Sequence, residues 1–277
     1  MIEDLAIVLR SQAFKERDRL VTFLTEKHGK ITGIAKGAIH SKRFGGTLDL
    51  FVCSAIHYKE SQGSELVRID EAHLRRDFLA IRERLENMSA AGYFTDLVLR
   101  LTQEKQAARE IFLLLSHYLY LLETAPATHE IVRSFEVKLL ERLGYAPNFE
   151  ECAACEAPLF GDNAGSFVSV AVERGGFLCS ACSPAASRRV DPNSILWMIL
   201  ARETLIQHTP TLHFSQEHMA EGLNILQSFL RWHAPGIGEH EFRSHALLER
   251  FLEEARNQSM AAARSSATKE GLDSAGI

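Results

Sequence analysis

Leu20-Val21-Thr22-Phe23-Leu24, then Thr25-Glu26-Lys27-His28-Gly29-Lys30, then Ile31-Thr32-Gly33-Ile34-Ala35: this stretch sets the reading of the amino-terminal third. Two short runs of β-branched and apolar residues flank a turn at His28-Gly29-Lys30, the pattern of two strands joined by a tight connection. The alternation continues on both sides. Ala6–Leu9 precedes it, and Leu50–His57 and Leu66–Ile69 follow, with Phe44-Gly45-Gly46-Thr47 and Ser61-Gln62-Gly63-Ser64 as turns. About five short strands in roughly 75 residues suit a small closed or partly open barrel, most commonly an OB-fold, with an SH3-like barrel left open by periodicity.

Beyond Asp77 the apolar period changes from two to about 3.6. Phe78, Leu79, Ile81 and Leu85 begin a helical stripe that runs through Met88, Phe94, Leu97, Val98 and Leu101. Ile111–Leu122 is apolar on nearly every side and is expected at the centre of a helical bundle. After the break at Ala125-Pro126-Ala127-Thr128, a third helix carries Ile131, Val132, Phe135, Leu139, Leu140 and Leu143 on one face, with Gly144 as its stop. A strand-like piece at Phe167–Val172 interrupts the helices. They resume after Asp191-Pro192-Asn193-Ser194 and cover Ile195–Gln207, Met219–Trp232 and Ser244–Ala255.

The expected class is multidomain α+β: an OB-fold barrel (1–77), then an all-α region in two parts (78–147 and 186–256) with an inserted four-cysteine zinc ribbon (148–185). Residues 257–277, rich in Ala, Ser and Gly, are expected to form a disordered tail.

A formal net charge of −5 argues against a uniformly basic DNA-coating protein, but leaves room for a local basic face. The opening MIEDLAIVLR has early acids and no basic n-region. The longest apolar run, Ile111–Leu122, falls short of the roughly 20 residues needed to span a bilayer. A cytoplasmic protein without a membrane partner is expected.

Cys152-Ala-Ala-Cys155 and Cys179-Ser-Ala-Cys182 are two C-x-x-C knuckles separated by 23 residues. Two thiolates in such a turn can face one point, and a second knuckle completes a tetrahedron around one Zn²⁺. An Fe–S cluster also accepts four thiolates, and spacing leaves that open. Four protein ligands leave no position for substrate, which makes the site structural. The fifth cysteine, Cys53, lies in an apolar run and reads as an inert core residue. His240-Glu241-Phe242-Arg243-Ser244-His245 is one residue too long for a metalloprotease motif, since its imidazoles would point about 140° apart on a helix. His213 and His218 fail in the same way. With no phosphate loop, dinucleotide fingerprint or nucleophile elbow, the chain is not expected to be an enzyme.

Between Glu26 and Asp49 there is no acidic residue, while Lys27, Lys30, Lys36, Lys42 and Arg43 occur. Lys15, Arg17 and Arg19 cluster upstream, and Arg75 and Arg76 close the β-rich region. The stretch from Lys36 to Gly46 reads as a mobile basic loop at the barrel rim, placed to track a phosphate backbone, with His40 and Phe44 available to stack on bases. The plainer alternative is an ordinary solvated surface.

Particular strings carry a resemblance: AIVLRS (6–11), ERDRLVTFLTEKHGK (16–30), IAKGA (34–38), SKRFGG (41–46), FEVKLLERLGYAP (135–147), and Phe167 through GGFLCSAC (175–182). In order, they resemble the RecO family of recombination mediators over about residues 1–255. The resemblance implies an OB-fold, a helical domain and often a four-cysteine zinc module, in a nucleoid-associated protein. It also implies binding of single- and double-stranded DNA, annealing of complementary strands, and work with RecR. Engagement of the acidic tail of single-stranded DNA-binding protein (SSB) would help load RecA. The family motif falls on Arg19, Lys36, Gly37, Lys42 and Arg43 for DNA, and on the four cysteines for metal. His40 departs from a place often basic in relatives. The SSB tail calls for an apolar groove rimmed by cations such as Arg133, Lys138 or Arg202. The competing class is a zinc-ribbon protein–protein adaptor that does not bind DNA; a zinc hydrolase or deaminase lacks an open metal position and a general base.

Overall fold

The computed structural model describes residues 1–61, 63–161, 167–233 and 244–258. Five strands, β1 (Ile2–Phe14), β2 (Asp18–Thr25), β3 (Gly29–Ala35), β4 (Cys53–Lys59) and β5 (Val67–Arg76), close into a barrel of order β1-β2-β3-β5-β4. Every pairing is antiparallel except β3 with β5, which is the OB topology and excludes the SH3-like alternative. Alternation divides β1 between two cores. Ala6 and Val8 point into the barrel with Val21, Phe23, Ile31, Ile56 and Ile69, while Ile7 and Leu9 point outward into the core of the helices. Cys53 belongs to that outer layer, and burial pushes its thiol up to about 11, as an inert core cysteine requires.

Two strands are longer than their apolar runs. β1 continues to Phe14 and β5 to Arg76, because ladder hydrogen bonds to β2 and β4 hold residues whose side chains face solvent. Leu50–Val52 lies outside β4, in a turn where Phe51 has a φ of 72°.

The helices are α1 (Leu85–Leu101), α2 (Arg109–Thr124), α3 (His129–Arg142), α4 (Pro192–Glu203), α5 (Gln216–His233) and α6 (244–258). The expected stripe from Phe78 is broken. Leu79–Glu83 is a 3₁₀ turn, and Leu79, Leu85 and Met88 are exposed. The centre of the bundle is α3 and not α2: every residue from Ile131 to Leu140 is buried, whereas α2 exposes Tyr120. Phe135 of α3 stacks on Phe94 at 4.0 Å and meets Tyr118 edge-on at 5.1 Å. α3 ends where expected, with Gly144 N–H donating to Glu141 and Tyr145 N–H to Leu140. α4 starts on the Asp191 cap, also as expected, but ends at Glu203 before a 3₁₀ turn over Ile206–Thr211.

The inserted module is a four-stranded sheet of order β6-β8-β7-β9, from Asn148–Cys152 (β6), Val168–Ala171 (β7), Gly176–Cys179 (β8) and Arg189–Val190 (β9). Its Phe149, Val168, Phe177 and Val190 are buried in the same core as the helices. Among the described residues no helix is long and apolar enough to cross a membrane. Residues 257 and 258 are helical, and the remainder of the expected tail, 259–277, lies outside the described residues, as do His240 and Glu241.

A candidate nucleic-acid interface and a candidate metal centre

The β1–β2 turn and the β3–β4 connection meet at one end of the barrel. Gly37 N–H donates to Asp18 Oδ1 at 2.8 Å, and Ile39 N–H to the Arg17 carbonyl at 3.1 Å. Gly37 has a φ of 66°, the left-handed backbone that lets the chain turn over Asp18. The connection is held from below by Ala38, Phe44 and Leu48, which are buried in the barrel core and plug its end. Two expectations are thereby corrected. Phe44 is spent on packing and cannot stack on a base, and the basic loop is anchored where free movement was expected. A short 3₁₀ turn, Lys42–Phe44, starts on Ser41 Oγ, which accepts from Arg43 N–H.

This rim gathers cations from two separate stretches of sequence. Lys15, Arg17, Lys36, Lys42 and Arg43 are exposed, and among the described residues none of them forms an ion pair. Arg43 lies over the Phe44 ring at 4.7 Å, and Lys15 over Phe14 at 5.5 Å. His40 is exposed beside them. Arg19 is at the same end, half-buried, and bound to Asp49 at 3.0 Å. Asp18 and Asp49, which fasten the rim, were not singled out from the sequence; an acid inside a basic turn is the only local signal of such an anchor.

The other four expected cations are elsewhere. Lys27 sits on the β2–β3 turn at the opposite end of β2, its N–H on Asp4, and shares a mixed-charge cleft with Glu3, Glu26 and Arg75. Lys30 is turned inward. Its amine donates to the carbonyls of Leu99 (2.8 Å) and Thr102 (2.6 Å) at the end of α1. Arg76 is bound to Glu123 of α2 at 2.6 Å and lies over Tyr120 at 4.4 Å. Lys30 is thus corrected from a DNA contact to a tie between barrel and helices, whereas Arg76 makes a similar tie but stays exposed. The groove cations are corrected too. Arg133 is buried and paired with Glu136 and Glu249, Lys138 donates to the Arg202 carbonyl, and Arg202 is bound to Glu150 at 3.0 Å.

The four cysteines converge. One sulfur from each of Cys152, Cys155, Cys179 and Cys182 lies within 4.8 Å of the others, and Cys155 and Cys179 are 3.8 Å apart. A tetrahedron with Zn–S bonds of about 2.3 Å has edges of about 3.8 Å, so the spacing fits a metal. Both knuckles have local support: Glu156 N–H donates to Cys152 O, and Ser183 N–H to Cys179 O. Burial disfavours a Cys152 thiolate, but N–H groups of Cys179, Ala154 and Cys155 turned toward its sulfur outweigh that and bring the thiol down to about 6. Hydrogen bonding with Cys155 and Cys179 pushes Cys182 up to about 12, a crowding of sulfurs that a divalent cation relieves.

Comparison with known proteins separates the barrel from the rest of the chain. A family model described as recombination protein O N terminal matches residues 1–78, and one described as recombination protein O C terminal matches residues 82–241. The DNA repair protein RecO of Syntrophus aciditrophicus (strain SB) is 32% identical over 228 residues, 80% of this chain and 87% of the relative. That of Anaeromyxobacter dehalogenans (strain 2CP-C) is 37% identical over 183 residues, 66% and 70% of the two chains. That of Desulfosudis oleivorans is 30% identical over 239 residues, 82% and 91%.

Proposed function

The chain belongs to the RecO family of DNA repair proteins, and from that premise we propose that it is a non-enzymatic recombination mediator that holds DNA on the barrel rim. In this reading residues 1–77 bind single- and double-stranded DNA and the helical parts, 78–147 and 186–256, receive protein partners. The cysteine module, 148–185, braces them around one structural Zn²⁺. The protein acts in the cytoplasm at the nucleoid.

The observation that carries the reading is the gathering of Lys15, Arg17, Lys36, Lys42 and Arg43, exposed and free of ion pairs among the described residues, at one end of an OB barrel. Phosphates bound there release counterions, so affinity falls as salt rises. Annealing then needs no covalent chemistry. Two strands whose charge is neutralised approach and pair. With RecR, the same surface would help to load RecA onto SSB-coated strands. For the acidic SSB tail, the helical part offers a cleft of about 450 Å³ whose lining includes Leu101, Ile111, Leu143 and Tyr145 and, among charged groups, Arg142, Glu110 and the Glu26-bound Arg109.

The test is fluorescence anisotropy with labelled single-stranded DNA across a salt series, for the native chain and for Lys36→Glu/Arg43→Glu. Loss of two phosphate contacts lowers the slope of log affinity against log salt by about 1.4. An unchanged slope removes the rim from the interface. Absent or salt-insensitive binding by the native chain favours the protein–protein adaptor instead. An arm with labelled SSB tail peptide, with and without Arg142→Glu, locates the cleft.

A further inference from the structure

On the outer wall of the barrel, three strands bring together side chains far apart in sequence. His57, on β4, is the direct cross-strand partner of Glu3 on β1 and of Glu71 on β5. His73 stands two residues beyond Glu71 and so shares its face. His73 Nε2 is 3.4 Å from Glu71 Oε2, and His57 Nδ1 is 3.8 Å from the same oxygen. A donor atom from each of His57, Glu71 and His73 lies within 4.8 Å of the other two. The two imidazole rings are nearly perpendicular, with centroids 5.7 Å apart.

We propose that His57, Glu71 and His73 form a second metal site, separate from the four cysteines, for a late first-row divalent cation such as zinc or nickel. Three observations carry this. First, His57 Nδ1 is buried and has no hydrogen-bond partner, while the face it turns to holds the Glu71 carboxylate. An unsatisfied buried nitrogen is costly, and a cation between it and the carboxylate satisfies both. Second, bonds of about 2.1 Å to nitrogen and oxygen give tetrahedral edges of about 3.4 Å; the two edges to Glu71 Oε2, 3.4 and 3.8 Å, meet that within a few tenths of an ångström, and the third lies within 4.8 Å.

Third, the other nitrogen of His57, Nε2, faces the Glu3 carboxylate at 3.5 Å. A carboxylate behind a ligating imidazole is the arrangement that fixes ring orientation and strengthens the nitrogen as a donor. Ordinary ion pairing explains the carboxylates beside the imidazoles, but at 3.8 Å from Glu71 it leaves His57 Nδ1 without a hydrogen bond. Two imidazoles and one carboxylate favour zinc, nickel or copper over magnesium or calcium. Glu71 and His73 are exposed, so at least one coordination position faces solvent and takes water.

The experiment uses the full chain with its cysteine site filled with zinc and titrates nickel ion alone by calorimetry. The expected result is one saturable equivalent without sulfur-to-metal charge-transfer absorption. His73→Gln weakens it more than tenfold and Glu3→Gln by about tenfold, while zinc content and thermal melting stay unchanged. Should His73→Gln fail to fold, Glu71→Gln, also at an exposed position, replaces it. No saturable uptake at about 0.1 mM nickel, a thiolate charge-transfer band, or equal uptake by the native chain and the folded ligand variant would each overturn the proposal.

Discussion

Arg133 illustrates how far a residue's role depends on what surrounds it. Its guanidinium meets both oxygens of Glu136 at 2.7 Å and also binds Glu249 of α6. Tyr93 donates to Glu136 at 2.6 Å, and His129 and His245 each lie 3.2 Å from Glu249. Replacing Arg133 by Met leaves the buried Glu136 charge without its counterion, for an expected loss of about 3–5 kcal/mol in urea unfolding. A loss below about 1 kcal/mol would show the network to be incidental. The Glu249 carboxyl, which burial alone would raise, is held well below the usual range by His129, His245 and Arg133. A depressed folded pKa contributes stability above the unfolded value of about 4.3, and that stability is lost as pH falls through the folded value. The stability advantage of the native chain over Glu249→Gln should therefore shrink on acidification below about pH 4, read from unfolding midpoints at several pH values.

At the scale of elements, the barrel and the helices are joined by a helix end. The last carbonyls of α1 lack partners within the helix. Lys30, from β3, supplies an amine to one of them, that of Leu99, and to the carbonyl of the capping Thr102, while Lys105 N–H donates to the Lys30 carbonyl from the α1–α2 loop. Gly29 lies directly beneath that loop. A Cβ there would come within 1.8 Å of the Gln106 carbonyl oxygen, and its φ of 73° also suits glycine. Lys30→Met should cost about 1–3 kcal/mol and leave DNA affinity at fixed salt unchanged, unlike substitutions at Lys36 or Arg43. A variant with native melting and weakened DNA binding would return Lys30 to the interface.

Across the whole molecule, one apolar core unites the barrel's outer layer, the helices and the cysteine sheet. Phe177 of β8 faces Phe229 of α5 at 6.2 Å, so the module is a wedge in that core and not a separate bead. Stripping the metal with a strong chelator should therefore lower the single melting transition by at least about 5 °C, roughly 2 kcal/mol for a chain of this size. Metal analysis should find one zinc in the cysteine site, reduced in Cys155→Ser. Iron with visible absorbance would replace zinc by a cluster, and equal melting with and without metal would deny the bracing role.

Features written in short-range patterns were legible without the structure. Apolar runs and turns located all five barrel strands, the 3.6 period located the helices, and the C-x-x-C spacing located the four sulfurs, because each is a matter of a few adjacent residues. The fate of a charge is different. Lys30 and Lys36 are six residues apart in one acid-free stretch, yet one caps a helix and the other stands on the rim. Arg133, Phe44 and the group formed by His57, Glu71 and His73 likewise depend on partners brought from other elements. Only closure of the barrel, its packing on the helices and the packing of the helices on one another chose those partners, since burial and pairing are properties of three-dimensional neighbours and not of chain order.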